Sequence, residues 1–115
     1  MITEAGAGAF LRDLQLTGLD ARMQSDFVVF PYVIPLGPRV GESVRVGLQV
    51  PADFPVTPPP GPHFCPRIVH PAGAIHPSPL GVDWVYWSRP FPNWRLTDRS
   101  VSAYLAHIRA LLAQL

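Results

Sequence analysis

With 115 residues, of which 48% are hydrophobic and 15% charged, the chain has the composition of a globular protein and not of a disordered tail. Its nine basic residues, all arginines, are scattered along the chain and nearly balanced by eight acidic residues, which argues against a nucleic-acid partner. A lone cysteine, no secretory-signal pattern and no apolar stretch long enough for a bilayer predict a cytoplasmic protein without membrane contact.

The first half of the chain predicts one helix and two strands. Residues 4–15 form a short amphipathic pattern with Gly18 where such a helix would stop. Residues 27–34 are mostly β-branched or aromatic and predict a strand, which Pro31 limits to an edge or bulged position. Strict alternation over residues 44–50 predicts a strand with one buried face.

Prolines dominate the middle of the chain. Six of the twelve residues at 51–62 are prolines, which predicts a stiff, extended surface connector. Residues 63–69 predict a further strand, residues 70–82 a loop, and residues 84–89 a short aromatic strand. Asp98 is expected to cap a final helix that runs to residue 115.

The final helix has the most regular pattern. Apolar residues recur in it at spacings of three and four: Val101, Tyr104, Leu105, Ile108, Leu111, Leu112 and Leu115. Consecutive strands joined by short turns favour an antiparallel sheet with the helices on one face. We therefore expect an α+β fold in which residues 1–115 form a single domain.

A family resemblance covers the second half of the chain. Residues 44–71, VRVGLQVPADFPVTPPPGPHFCPRIVHP, resemble the central strand, proline-ringed loop and His-Pro element of the ubiquitin-conjugating enzyme family. Residues 84–112, which begin WVYWSR, look like a divergent bacterial branch of that superfamily. The resemblance implies a UBC-like fold, with an antiparallel β-meander and N- and C-terminal helices packed on it. It also implies two partners in a bacterial modification pathway, a ubiquitin-like protein and its adenylating activating enzyme.

The chain departs from that family at the two positions that carry its chemistry. The asparagine that follows His-Pro in the family, and supports the oxyanion, is Ala72 here. The place of the nucleophilic cysteine is taken by His76, in the sequence Gly-Ala-Ile-His. Conjugation needs a thiolate that carries the modifier as a thioester. The resemblance therefore predicts a non-catalytic variant that binds its partner and uses no cofactor.

Three residues are candidates for catalysis, each with a plainer alternative: His76, Cys65 and His70. Cys65 is either a packed strand residue or a nucleophile with His63 or His70 as base, and His76 is either a loop residue or a nucleophile. For His70 we expect a structural role, in which it donates a ring N–H to a loop carbonyl, as the resemblance implies. The spacing of the three histidines from His63 to His76 matches no compact zinc pattern, so no metal site is predicted.

Partner binding is expected at rigid aromatic and proline surfaces, which lose little entropy on binding. Two of the three tryptophans are expected to close the core and one to stay exposed. Arg89 either holds a carboxylate or forms an ordinary surface ion pair. The predicted partner-binding residues are Pro58, Pro59, Trp84, Trp87, Arg89 and Trp94.

Three functions fit these observations. The first is the non-catalytic ubiquitin-conjugating-enzyme-like variant. The second is an active carrier of a ubiquitin-like protein that uses Cys65 or His76. The third is a proline-rich interaction module with no link to ubiquitin-like proteins, because a fold does not fix a function.

Overall fold

The structure, a computed structural model, describes residues 5–115, which form two α-helices and one antiparallel sheet. The elements in chain order are α1 (Gly6–Leu16), β1 (Arg22–Gln24), β2 (Phe27–Val33), β3 (Ser43–Gln49), β4 (His63–Cys65), β5 (Ile75–Ser78), β6 (Gly81–Trp87), a 3₁₀ turn (Trp94–Leu96) and α2 (Val101–Leu112). The six strands lie in the order β1-β2-β3-β4-β6-β5. The α+β class and the antiparallel sheet are confirmed. Neither helix is long and apolar enough to span a membrane.

The sheet has two unlike faces. Both helices pack on one of them, the helix-covered face, where their apolar residues join those of the strands in the main core. Its fully buried members include Phe10, Leu14, Phe30, Val46, Phe64, Ile108 and Leu112. No helix of residues 5–115 covers the other face, the open face, where Phe27, Val29 and Trp84 form a smaller cluster.

The N-terminal helix and β3 match their predictions closely. Phe10 and Leu14 of α1 are fully buried. The helix ends at Leu16, and Gly18 follows with φ +92°, a left-handed conformation that glycine favours. The predicted start at residue 4 lies outside the described residues. Alternation in β3 buries its apolar side chains on the helix-covered face, as expected.

The prediction of an edge or bulged position for β2 is wrong, because β2 lies between β1 and β3 and pairs with β3 in unbroken register. The three residues of β1 pair only with Phe27, Val28 and Val29. Pro31 lies beyond the end of β1, so no neighbouring strand on that side needs the N–H that proline lacks. Pro31 is therefore paired on the β3 side only, opposite Arg45.

The proline-rich connector has no helix or strand, as predicted, but it is not wholly on the surface. Phe54, Pro59 and Pro62 are buried in it. A Cβ on Gly61 would overlap the Trp87 carbonyl oxygen, so only glycine lets the connector pass this close to β6. The connector, which joins β3 to β4 along the chain, therefore packs against the sheet and passes close to β6.

The segment after the connector differs most from prediction. β4 ends at Cys65, four residues earlier than expected, and the predicted loop at residues 70–82 contains β5. β5 pairs with β6 on one side only and forms the edge of the sheet, where Pro77 is tolerated. Prolines in this segment predict a loop, but it contains a short edge strand.

The final helix begins later than predicted, and Asp98 is not its N-cap. The hydroxyl of Ser100 accepts the N–H of Ala103 at 3.0 Å and caps the helix. Asp98 accepts hydrogen bonds from the N–H and hydroxyl of Ser100, which lower the pKa of its carboxyl. Leu105, expected on the buried face, is only half-buried, whereas Ile108 is fully buried.

Candidate functional sites

The His-Pro element forms a turn that its histidine holds rigidly. His70 is only 3% exposed and stacks edge-on against Trp87, with ring centroids 5.0 Å apart. Its Nδ1 accepts the N–H of Ala72 at 3.0 Å. A backbone N–H can only donate, so Nδ1 carries no hydrogen and Nε2 donates to the Gln114 side-chain oxygen at 3.1 Å. The structural role expected of His70 fits this geometry, but the acceptor is a side chain of the C-terminal segment and not a loop carbonyl.

Arg89 braces the same turn from the end of β6. Its guanidinium donates to the Gly73 carbonyl at 2.7 Å and to His70 Nδ1 at 3.0 Å. Within residues 5–115 no carboxylate lies within ion-pair distance of Arg89, so the expected surface ion pair is not formed. A half-buried cation with neutral partners keeps the capacity to bind a carboxylate.

The two positions where the chemistry of conjugation is expected lie just beyond this turn. Ala72 is exposed and has no polar side chain, and its N–H is already bound to His70. His76 lies on β5 opposite Tyr86, with ring centroids 5.9 Å apart, and is exposed. It forms no hydrogen bond with any other described residue. Within the described part of the chain, no base is therefore hydrogen-bonded to His76.

A different histidine, His63, occupies the centre of the open face. Its ring stacks on Tyr86 at a centroid distance of 4.5 Å and meets the edge of Phe27 at 4.9 Å. Burial disfavours the charged imidazole and lowers the pKa of His63 to about 4, so the ring is neutral at pH 7. The sequence alone indicates His63 only as a base for Cys65 or as a metal ligand.

His63 is paired with a serine that the sequence analysis missed. Its Nδ1 lies 2.8 Å from the Ser78 hydroxyl, which also accepts the N–H of Leu80 at 3.1 Å. The hydrogen bond between His63 and Ser78 links the β5–β6 turn to β4 on the open face. Residues 75–78 alternate an apolar or proline residue with a polar one, a two-residue pattern that could have indicated this strand.

The lone cysteine lies on the open face at the end of β4. Cys65 is half-buried against the cluster of Phe27, Val29 and Trp84, and it pairs in register with Arg45. β6 separates β4 from β5, so Cys65 and His76 lie on strands that are not neighbours. The structure therefore brings the catalytic candidates Cys65, His70 and His76 to three separate places. Within residues 5–115 no three metal-ligating side chains cluster.

Two of the predicted partner-binding residues meet in one groove. Pro58 of the connector and Trp94 of the 3₁₀ turn line an open groove of about 420 Å³ together with Phe91 and Val56. The indole N–H of Trp94 donates to the Pro55 carbonyl at 2.8 Å and so joins the connector to the 3₁₀ turn. We call this surface the connector groove.

The other predicted partner-binding residues lie elsewhere. Pro59 is buried, and its carbonyl accepts the Tyr104 hydroxyl at 3.2 Å. All three tryptophans are buried, with exposed fractions of 6% for Trp84, 0% for Trp87 and 5% for Trp94. Two tryptophans close the core as expected, since Trp87 and Trp94 both belong to the main core. The expectation that the third stays exposed is wrong, because Trp84 is buried in the smaller cluster on the open face.

Comparison with known proteins identifies no relative of this chain. No family model, curated protein or solved structure matches it. The geometry of the chain itself must therefore support any assignment of function.

Proposed function

We propose that the chain is a non-catalytic ubiquitin-conjugating-enzyme-like protein that binds a ubiquitin-like protein or its activating enzyme. The order of its elements supports this. A helix precedes four strands that are neighbours in sequence and in space, the proline-rich connector joins β3 to β4, and the His-Pro turn follows β4. This is the order that the resemblance implies for the family.

The observation that carries the proposal is a rigid His-Pro turn without a nucleophile beside it. His70 and Arg89 hold the turn by four hydrogen bonds to the backbone and to each other and Gln114. The residues that follow present a methyl group at Ala72 and an unassisted imidazole at His76. Acyl transfer needs an activated nucleophile and donors for the oxyanion. The framework is therefore suited to holding a partner and not to forming a thioester.

Cys65 does not replace the missing nucleophile. Its side chain is directed to the open face and packs against an apolar cluster, whereas the His-Pro turn is held against Trp87 of the helix-covered face. A thioester at Cys65 would have to form away from the loop that the family uses.

The connector groove is the proposed contact surface. Its rim carries Val56, which is 63% exposed, and Leu96 lies nearby in the 3₁₀ turn with 76% exposed. Hydrogen bonds and aromatic contacts fix its walls, since Trp94 is bound to Pro55 and packs against Phe91 at 5.0 Å. The groove combines these apolar residues with the polar Thr57, Asn93 and Arg95, and a prearranged surface of this kind binds with little loss of conformational entropy.

Matched surface variants test this contact. Binding of a ubiquitin-like protein and of an adenylating enzyme from the same genome is measured by calorimetry. We expect Val56→Asp to weaken one of the two complexes about tenfold, because it places a charge in an apolar contact. Val40→Asp is the control, since Val40 has a similar exposure of 61% but lies in the β2–β3 connection. Equal effects of the two variants, or no binding of either partner, would contradict the proposal.

A second assay distinguishes a binding protein from an active carrier. The chain is incubated with both partners and ATP, and covalent adducts are detected on a denaturing gel with and without hydroxylamine. We expect no adduct. An adduct that disappears in Cys65→Ser or His76→Ala would show that the chain carries the modifier itself.

A further inference from the structure

A second concave site lies at the opposite side of the sheet from the connector groove and has no role in the proposed function. It is a cavity of about 320 Å³ beside the β5–β6 hairpin. Small-molecule sites have volumes of about 300–1,000 Å³, and they combine apolar walls with a few convergent polar groups. The apolar walls here include Ile75, Val82, Trp84 and Val85, and the polar groups are Arg67, His76 and Ser78.

The charge in this cavity belongs to Arg67. Arg67 is exposed, and within residues 5–115 it forms no ion pair. The nearest acidic residue along β6, Asp83, does not line the cavity. The guanidinium therefore offers a full set of donors to a ligand, and such donors suit the planar oxygen pair of a carboxylate.

Ser78 supplies a second, directed polar group. A hydroxyl has one donor and two acceptor positions. The Ser78 hydroxyl accepts the Leu80 N–H and forms a second hydrogen bond with His63 Nδ1. One of its three hydrogen-bonding positions therefore remains for a ligand. A carboxylate only accepts hydrogen bonds, so it selects the arrangement in which His63 Nδ1 donates and the serine hydroxyl points to the ligand.

We propose that this cavity binds a small monocarboxylate with an aromatic or branched apolar body. One guanidinium supplies one formal positive charge, which matches a monoanion better than a doubly charged phosphate. The side chains of Trp84 and Val82, which share the open face, contact the apolar body, while Arg67 and Ser78 bind the carboxylate. This site is independent of the proposed partner surface and could be lost without affecting it.

Phenylacetate is a suitable probe, and phenylacetamide is its neutral counterpart of the same shape. Each is titrated into the ¹⁵N-labelled protein, and amide shifts are followed by NMR up to about 10 mM, where a millimolar ligand is near saturation. We expect saturable shifts at Ser78, Val82 and Trp84 with phenylacetate and roughly tenfold weaker binding of phenylacetamide. No saturable shift, shifts centred elsewhere, or equal binding of both compounds would overturn the proposal.

Arginine variants test which group recognises the carboxylate. Arg67→Gln is expected to weaken phenylacetate binding roughly tenfold, and Arg67→Lys to restore part of it. Arg109→Gln is the control, since Arg109 is an exposed arginine of α2 that does not line the cavity. Both positions lie on the surface, so the fold should persist in all three variants. Unchanged affinity in Arg67→Gln, or an equal loss in Arg109→Gln, would show that Arg67 does not recognise the ligand.

Discussion

The two faces of the sheet differ in what they bury. The helix-covered face encloses mainly apolar side chains, together with His70, which packs against Trp87. The Trp87 N–H and the Tyr104 hydroxyl are bound to backbone carbonyls there. The open face buries His63 among aromatic rings and leaves Cys65, Arg45 and His76 at its surface. The helix-covered face therefore holds the main core, while the open face combines a small aromatic cluster and a buried histidine with polar groups that reach solvent.

The difference has a physical origin. Two amphipathic helices must bury their apolar stripes against something, and the alternation in β3 supplies an apolar surface on one side only. The open face has no such cover and relies on Trp84, with Leu80 from the β5–β6 turn beside Gly47. Substitutions on the two faces should therefore have unequal effects on stability.

The largest expected effect separates the two tryptophans of β6. Trp87→Ala should lower the free energy of unfolding by about 5 kcal/mol, because it opens a cavity in the core and leaves the Ile68 carbonyl without its 2.8 Å hydrogen bond. Trp84→Ala should cost about 3 kcal/mol, since the smaller cluster can rearrange towards solvent. Urea unfolding followed by circular dichroism measures both. Equal losses would mean that the open face is as tightly packed as the core.

A smaller effect tests the orientation of α2 on the helix-covered face. Ile108 is fully buried in the core, whereas Leu105 is half-buried. We expect Ile108→Ala to cost about 3 kcal/mol and Leu105→Ala about 1 kcal/mol in chemical unfolding. The reverse order would mean that the helix is rotated from its position in the structure.

The sequence predicted the helix-covered face better than the open face. The periods of α1, β3 and α2 are set by burial of an apolar stripe, and this signal survives in a single sequence. β5 is not predicted from the sequence, because Pro77 argues against a strand unless its edge position is known. Asp98 and Ser100 have similar N-cap propensities, so the sequence does not distinguish which of the two caps α2. Both errors concern local alternatives that tertiary pairing decides.

The candidate sites were harder to predict than the fold, because they combine residues distant in sequence. The connector groove joins Pro58 to Trp94, and the pairing of His63 with Ser78 spans fifteen residues and depends on β5. The tryptophans were correctly expected to contribute to cores, but aromatic content alone does not reveal which residue is enclosed. The sequence shows which side chains can bind or react, but it does not show which of them lie close together in the fold.

The burial of His63 predicts a pH dependence that originates on the open face. The unfolded chain takes up a proton at this residue near pH 6.5, whereas the folded protein does so only near pH 4. Between these values the unfolded state binds more protons, so the free energy of unfolding falls as the pH is lowered. The loss should total about 3 kcal/mol by pH 4 and not increase further below it.

Subtracting the profile of a variant isolates this contribution from that of the carboxylates. Unfolding of the wild type and of His63→Gln is measured from pH 8 to pH 4, and we expect the variant to have the shallower slope below about pH 6.5. His107→Gln is the comparison, since burial also lowers the pKa of His107 but the hydrogen bond to the Arg89 carbonyl partly offsets this. Parallel profiles of the wild type and His63→Gln would mean that His63 is solvated in the folded protein.

The smallest expected effect concerns the cation on the open face. The Arg45 guanidinium lies 5.4 Å from the centroid of the Trp84 ring and shields the cluster below it. At an exposed site such a contact contributes about 0.5–1 kcal/mol, so Arg45→Gln should reduce the free energy of unfolding by that amount. Arg22→Gln should change it less, because Arg22 forms only an exposed ion pair with Asp20. The double variant Arg45→Gln/Trp84→Leu separates the contact from the loss of either side chain, since leucine has no aromatic face and a cation–π contribution appears as coupling between the two substitutions. Purely additive effects would mean that Arg45 acts only through the area that it covers.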